Sequence, residues 1–377
     1  MKGHIRERSP GRWAIVLDGQ GAGGKRRRRW VSFAGNKRAA QLECARLIAE
    51  AAKGGGTVAP ERMTVADFLE QWLRHIRTKV TPKSFERYSS IVRVNIVPAL
   101  GHIRLTKLQP LAISSAYSDA LEQLAPRTVG HVHTILSGAL KQAVRWRLLQ
   151  RNPADDVDPP RVERREMKVW TVEQIAAAIE LSRSWTVHMP LVLAALCGLR
   201  RGEIVALRWR HIDFARAQLA VIDSAEQTKA GIRYKTPKSG KSRTVALPAM
   251  MVAALRAHRR RQAEELLQIG VRVTDDTFVC ARRDGKPLQP QSVSHAWDHF
   301  VKASKLPRIR FHDLRHSHAT IMLASNIHPK IVSERLGHSK VAITLDTYSH
   351  VIPGMQEEAA AAIDAAFGNA APSTVIA

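Results

Sequence analysis

The apolar positions of the chain begin with a short-run, strand-like rhythm and pass to a helical one. Trp13 to Asp18 (WAIVLD) and Lys25 to Phe33 (KRRRRWVSF) predict two strands, with the glycine-rich Gly19–Gly24 as the turn between them. After Asn36 as a cap, Ala40, Leu42, Ala45, Leu47 and Ile48 recur at helical spacing as far as about Ala52, and Gly54-Gly55-Gly56 ends that helix. A second region, 63–160, is helical throughout. Thr64 caps a helix with Val65, Phe68, Leu69, Trp72 and Leu73 on one face, and Asp67 completes a capping box. Thr81-Pro82 starts another, with Tyr88, Ile91 and Val92 inward and Lys83, Arg87 and Arg93 outward. VPALGHIRL, with Pro98 and Gly101, predicts a break, 108–124 and 125–149 predict two further helices, and Pro153, Pro159 and Pro160 an extended linker.

From about Glu166 the pattern is mixed. Helices are predicted over 171–181 and 187–195, the second closing at Gly198, and a third starts near Arg201. Residues 212–248 are predicted as β-structure, with strands at 219–222 and 242–247 and the turn-rich YKTPKSGKSR between. A helix over 249–270, a strand-like DTFVC, a turn at Gly285-Lys286-Pro287 and a helix over 292–303 follow. The pattern therefore predicts a multidomain chain: a small α+β module (1–56), an all-α bundle (63–160), and a mainly α domain with a small β-sheet (166–377).

Composition changes this picture mainly through charge. With 59 Lys plus Arg against 33 Asp plus Glu the formal net charge is +26, which self-repels unless a polyanion neutralises it. An anionic membrane surface would serve, but no basic amphipathic helix or lipidation signal supports one, so nucleic acid is favoured. The first 56 residues alone carry 13 basic and 4 acidic side chains. Arg26, Arg27, Arg28 and Arg29 form either a solvated edge that discourages aggregation or a nucleic-acid contact, and the second is preferred. No apolar run reaches membrane-spanning length and the N-terminus has no apolar signal region. Cys44, Cys197 and Cys280 are far apart and form no CxxC pair, so the expectation is a reduced cytoplasm without disulfides or a thiolate metal site.

Candidate chemistry concentrates in Phe311 to His350. His312, Arg315, His338 and Tyr348 follow one another at separations of three, twenty-three and ten. A phenol beside cations that bind phosphate oxygens suggests attack on a phosphodiester. Of the four tyrosines, Tyr88 and Tyr117 fall on the predicted bundle core and Tyr234 on the hairpin, leaving Tyr348 as the candidate nucleophile. Upstream, GLRRGE sets Arg200 in a tight connection with Glu203 three residues on, where a surface ion pair is the plain alternative. A hairpin lysine such as Lys238 is, taken alone, a solvated side chain. A zinc or two-metal site built on His312, His316, His318, His338 and His350, with Asp313 and Asp346, is the competing arrangement; an arginine on the face of His312 argues against it. GAGGKR lacks the spacing of a phosphate-binding loop.

Taken together, Arg200 in GLRRGE, Lys238, His312 and Arg315 in HDLRH, His338 in LGH and Tyr348 in TYSH resemble the catalytic signature of the tyrosine recombinases, in their phage-integrase-like branch. The resemblance runs over the whole chain, and its fold is that of tyrosine recombinases and type IB topoisomerases. It implies an arm-type DNA-binding module at 1–56, a core-binding domain at 63–160, and a catalytic domain with a tail at about 355–377 exchanged between protomers. It implies cleavage and rejoining of DNA through a 3′-phosphotyrosyl intermediate, with no cofactor, metal or ATP. Arg200, Arg315 and His338 would hold the phosphate, His312 would be the candidate base, Lys238 the acid toward the departing 5′ oxygen, and Glu203 would orient Arg200. Lys238 is preferred to Lys235 and Lys241 by counting back from the TVALP strand. The implied partners are double-stranded attachment-site DNA, contacted by Arg26–Arg29, Lys83 and Arg87, a homo-tetramer on that DNA, and accessory directionality or DNA-bending proteins. A DNA-binding regulator without catalysis and a strand-relaxing topoisomerase are the alternatives.

Overall fold

The computed structural model describes residues 2–20, 26–53, 62–163, 167–237, 240, 242–348 and, near the C-terminus, 360–361, 363–365 and 367. The chain divides into two compact units, Met1–Arg164 and Arg165–Ala377.

The first unit opens with three antiparallel strands in the order β1-β2-β3: β1 (Lys2–Ser9), β2 (Arg12–Gln20) and β3 (Arg26–Ala34). The sequence predicted only the last two. β1, KGHIRERS, has a single large apolar residue, Ile5, and an edge strand of charged residues carries no alternation to detect. Helix α1 (Lys37–Lys53) is capped by Asn36, whose Oδ1 accepts from Ala39 N at 2.8 Å. It sets Cys44, Leu47 and Ile48 against Ile5, Ile15, Leu17, Val31 and Phe33.

The helical part of this unit begins with α2 (Val65–Ile76), closed by the predicted Thr64–Asp67 capping box. α3 (Pro82–Ile91) follows. Where a break was predicted the helix runs on, through a π-turn at Val92–Ile96 into α4 (Val97–Leu100). The wider turn, in which Val97 N reaches back to Val92 O, lets the helix accommodate Pro98, which has no N–H of its own. α5 (Pro110–Leu121) and α6 (Pro126–Arg145) complete a core around Phe68, Leu69, Trp72, Ile113, Val129 and Leu136. Tyr117 is buried and bonded to His133, and Tyr88 stacks on Trp72.

The second unit starts with α7 (Val172–Leu181), α8 (His188–Cys197) and α9 (Arg201–Ala206). α8 is buried on nearly all sides, which explains its unbroken apolar sequence. β4 (Ile212–Asp213) and β5 (Gln218–Val221) come next, then a separate hairpin of β6 (Ser224–Thr228) and β7 (Gly231–Lys235). β8 (Arg243–Ala246) pairs with β5, giving a sheet of order β4-β5-β8. The hairpin does not stand out as two strands in the sequence because SAEQT and GIRYK are mostly polar and partly exposed. DTFVC forms only an isolated bridge, Arg208 to Phe278. Helices α10 (Ala249–Leu267), α11 (Pro290–Ser304), α12 (Asp313–Ala324), α13 (Pro329–Leu336) and α14 (Val341–Tyr348) follow. Trp170, Leu191, Trp209, Trp297, Phe300 and Leu314 lie in the main core. A smaller cluster of Ala319, Leu323, Val332, Leu336 and Tyr348 joins α12, α13 and α14. No described helix is long and apolar enough to cross a membrane.

Candidate active site

The site forms where α12 and the loop after α8 meet the C-terminal end of α13. A helix ends with carbonyls that have no partner in the helix and a partial negative charge, which favours cations. Three consecutive carbonyls here each accept from a different arginine. Arg243 Nε donates to Arg335 O at 2.8 Å, Arg315 Nη2 to Leu336 O at 2.5 Å, and Arg200 Nη2 to Gly337 O at 2.9 Å. The second hydrogen-bonding nitrogen of Arg315, Nη1, holds Gly198 O at 2.6 Å. Gly198 and Gly337 have φ of +66° and +67°, so each helix end turns back sharply and presents its carbonyls to the arginines.

Glu203 ties the cations together. Its carboxylate accepts from Arg200 Nη1 at 2.8 Å and from the Arg200 backbone N at 2.9 Å. Arg243 binds the same carboxylate through both terminal nitrogens, at 3.0 and 2.7 Å. Burial alone would raise the Glu203 pKa, but the bonds and charges of Arg243 and Arg200 override it and hold the group at about 2. The plain surface ion pair open in the sequence is therefore a buried one: Glu203 is 2% exposed. Glu203 binds two of the three arginines, and burial together with the Arg200 charge depresses the pKa of the third, Arg315. An anion entering here relieves that repulsion.

The histidines take separate partners. His338 Nδ1 lies 2.8 Å from the Thr344 hydroxyl, which orients the ring from the start of α14. Burial and then Arg315 and Arg200 push His338 down to about 4, so it is neutral near pH 7. His312 is likewise held at about 4, first by burial and then by His316 and Arg315. His318 bonds Ala195 O at 2.8 Å and meets Arg335 at 3.1 Å, so it serves the packing of α12 on α8. Among the described residues no group of three or more His, Cys, Asp or Glu is arranged to hold an ion, and His350 of the competing metal arrangement lies outside them.

Tyr348 is the last residue of α14 and only 1% exposed. Its hydroxyl sits 2.7 Å from His316 Nδ1. Burial pushes the phenol up to about 12, against the opposing pull of the Arg315 charge. Arg200, His312, Arg315, His338, Tyr348 and Glu203 thus come together. Lys238 lies outside the described residues, as do His350 and most of the tail at 355–377. Sequence reasoning passes over Arg243, Arg335 and Thr344, and names His316 only in the competing metal arrangement. The signal for Arg243 is a basic residue near the start of the predicted strand 242–247, two positions before buried Val245 and so on the same face.

The residues expected to contact DNA lie in the first unit. Arg26–Arg29 are on β3; of their side chains only that of Arg28 is described, exposed and paired with Asp18 at 3.0 Å. Lys83 is exposed and paired with Glu86, and exposed Arg87 lines a cavity with Trp72, Tyr88 and His131.

Residues 166–354, half of the chain, match the phage integrase family, and residues 64–120 match the phage integrase N-terminal SAM-like domain. The chain belongs to the phage integrase family. It is a tyrosine-type site-specific recombinase, an enzyme that cleaves and rejoins DNA strands. An integrase relative from Bacillus subtilis strain 168, the ICEBs1 integrase, is 32% identical over 244 residues, covering 64% of this chain and 66% of the relative. A tyrosine recombinase XerC-like protein of Caldanaerobacter subterraneus subsp. tengcongensis is 28% identical over 329 residues, covering 81% of this chain and 84% of its own length. Among solved structures, a lambda integrase tetramer bound to a Holliday junction shares the fold with a TM-score of 0.60 at 17% identity, over 89% of this integrase and 95% of that chain. The integrase's mixed architecture, mostly helical with small sheets, is the multidomain recombinase fold expected from the sequence.

Proposed function

We propose that Arg200, Arg315 and His338 bind the scissile phosphate of one DNA strand, and that Tyr348 attacks its phosphorus. The observation that carries this is the pair of guanidiniums anchored on the neighbouring carbonyls Gly337 and Leu336, with the Arg315 charge acting on the Tyr348 phenol. Phosphodiester cleavage is slow because the phosphate's charge repels nucleophiles and an alkoxide leaves poorly. Fixed cations answer the first difficulty and lower the barrier further as charge builds up on the phosphorane oxygens. Planar guanidiniums suit two non-bridging oxygens, and neutral His338 adds a donor through Nε2 when Thr344 donates to Nδ1. The P–O bond to the 5′ oxygen breaks as the bond to the phenol oxygen forms. The resemblance assigns Lys238 as the donor of a proton to the departing oxygen. The 3′-phosphotyrosyl product conserves the bond energy, and the 5′ hydroxyl of another strand reverses the step.

The same reading gives the first 56 residues an arm-type DNA-binding role, residues 63–160 a core-binding role and residues 166–377 the chemistry. It takes the working form to be a homo-tetramer on attachment-site DNA in the bacterial cytoplasm, assisted by directionality or bending proteins, and the carrier to be a mobile element. The lambda integrase tetramer on a junction supports the assembly, and the excess of basic residues supports the partner. The test is incubation with a nicked attachment site. A covalent adduct on the 3′ end, absent in Tyr348→Phe, is expected. An adduct that persists in Tyr348→Phe reassigns the nucleophile.

A further inference from the structure

We infer that His316, which is not one of the six signature residues, accepts the phenol proton of Tyr348 as that residue attacks. The inference rests on the reading of Tyr348 as nucleophile. His316 Nδ1 lies 2.7 Å from the reacting oxygen, and the two rings stand 5.8 Å apart. His312, the expected base, stacks edge-on against His316 at 5.1 Å, so it meets the neighbour of the phenol. The two histidines lie four residues apart on one face at the start of α12, and His316 is the one nearer to α14.

The surroundings suit an acceptor. Burial lowers the His316 pKa from its ordinary value, which favours the neutral ring that can accept a proton. The tautomer with its proton on Nε2 leaves the Nδ1 lone pair toward the phenol. The charged and titratable groups acting around it are His312, Asp313 and Arg315 on or beside its own helix, Arg310 just before it, Tyr348 on α14 and His338 after α13. Asp313 favours the protonated ring that forms, and Arg315 and Arg310 oppose it. A phenol pushed up to about 12 is almost wholly protonated at neutral pH, so attack needs somewhere to put that proton. In the step, the phenol O–H bond breaks as N–H forms at Nδ1, the phenol oxygen bonds phosphorus, and the 5′ oxygen departs. On rejoining, the same N–H returns the proton to the leaving phenol oxygen.

The test measures single-turnover adduct formation on a nicked site across pH 6 to 10. His316→Asn places an amide oxygen near the position of Nδ1, which can hold the phenol but cannot take its proton. For a proton acceptor, adduct formation at neutral pH falls about 10²-fold or more, the range typical of a lost general base. The rate of the variant then climbs about tenfold per pH unit toward that of the wild type, as direct ionisation of the phenol replaces the lost base. Placing 3,5-difluorotyrosine, a more acidic phenol, at position 348 restores the rate of His316→Asn. His316→Gln gives the same readout if the Asn variant fails to bind DNA in a gel shift. A His316→Asn or His316→Gln rate within about threefold of wild type with an unchanged pH profile overturns the inference, as does the same tenfold-per-unit climb appearing in His312→Asn instead. Loss of adduct in Tyr348→Phe together with that result removes only the role of His316, whereas an adduct in Tyr348→Phe removes the nucleophile assignment itself.

Discussion

Glu203 holds Arg200 and Arg243 on one carboxylate, with contacts of 2.8 Å to the first and 2.7 and 3.0 Å to the second. Arg200 comes from the turn between α8 and α9, and Arg243 from the first position of β8, forty residues after Glu203. The carboxylate therefore fixes Arg200, the proposed phosphate ligand, to the sheet. Its folded pKa of about 2 lies below the ordinary 4.5, so its contribution to stability is fully present above pH 4.5 and is lost as pH falls toward 2. The shift corresponds to about 3 kcal/mol. Denaturant titrations at pH 7 and at pH 3 should show wild type losing stability that Glu203→Gln has already lost at pH 7. Equal pH dependence in the two proteins would contradict the assignment.

Arg243→Ala should slow adduct formation by about tenfold or more without touching the phosphate itself. Removing it leaves Glu203 buried with one partner and frees Arg335 O at the end of α13. Because the two side chains bind each other directly, the double variant Arg243→Ala with Glu203→Ala should cost clearly less than the sum of the two single losses. Additive losses would mean the two act independently.

Arg315→Lys should fail as a conservative replacement. Arg315 is 2% exposed and reaches two carbonyls, Gly198 O and Leu336 O, in different directions. An ammonium is a compact point charge and cannot span both while also facing an anion. A loss of about 10²- to 10³-fold in cleavage, with DNA binding largely retained, is the expected result of a gel shift run beside the adduct assay. Near wild-type cleavage by Arg315→Lys would show that only the charge matters.

DNA binding should weaken steeply with salt. A chain with net charge +26 that neutralises several phosphates releases as many counterions. A fall of about 10³-fold or more in affinity between roughly 50 and 200 mM salt is expected from titrations of cognate DNA. A flat dependence would leave the excess charge without its polyanion.

Much of this integrase is legible in its residue pattern. Thr64-Val-Ala-Asp67 announces a helix start because both halves of a capping box are local, and α8 announces its burial because a fully enclosed helix needs no polar face. β1 and the β6–β7 hairpin are not legible. Their strands carry charged and polar side chains, and what makes them strands is pairing with partners that a local pattern does not contain. The run through Val92–Ile96 misleads for the complementary reason: proline signals a break, and a π-turn is one of the few ways around it.

The sequence by itself determined the chemistry in outline, because phosphate transfer by a phenol needs arginines, a donor and a tyrosine, and those residue types stand in recognisable local motifs. It also determined the charge that demands a polyanion. Only the tertiary structure decided who serves whom. Three arginines from three distant segments share the end of α13 because helix carbonyls left without partners attract cations from wherever the fold brings them. Glu203 serves Arg243 as well as Arg200, and Tyr348 meets His316 rather than His312, because one turn of α12 separates the two rings and packing of α14 against that helix selects the nearer one. Such choices depend on distances of an ångström or two across the fold, and residue order does not encode them locally.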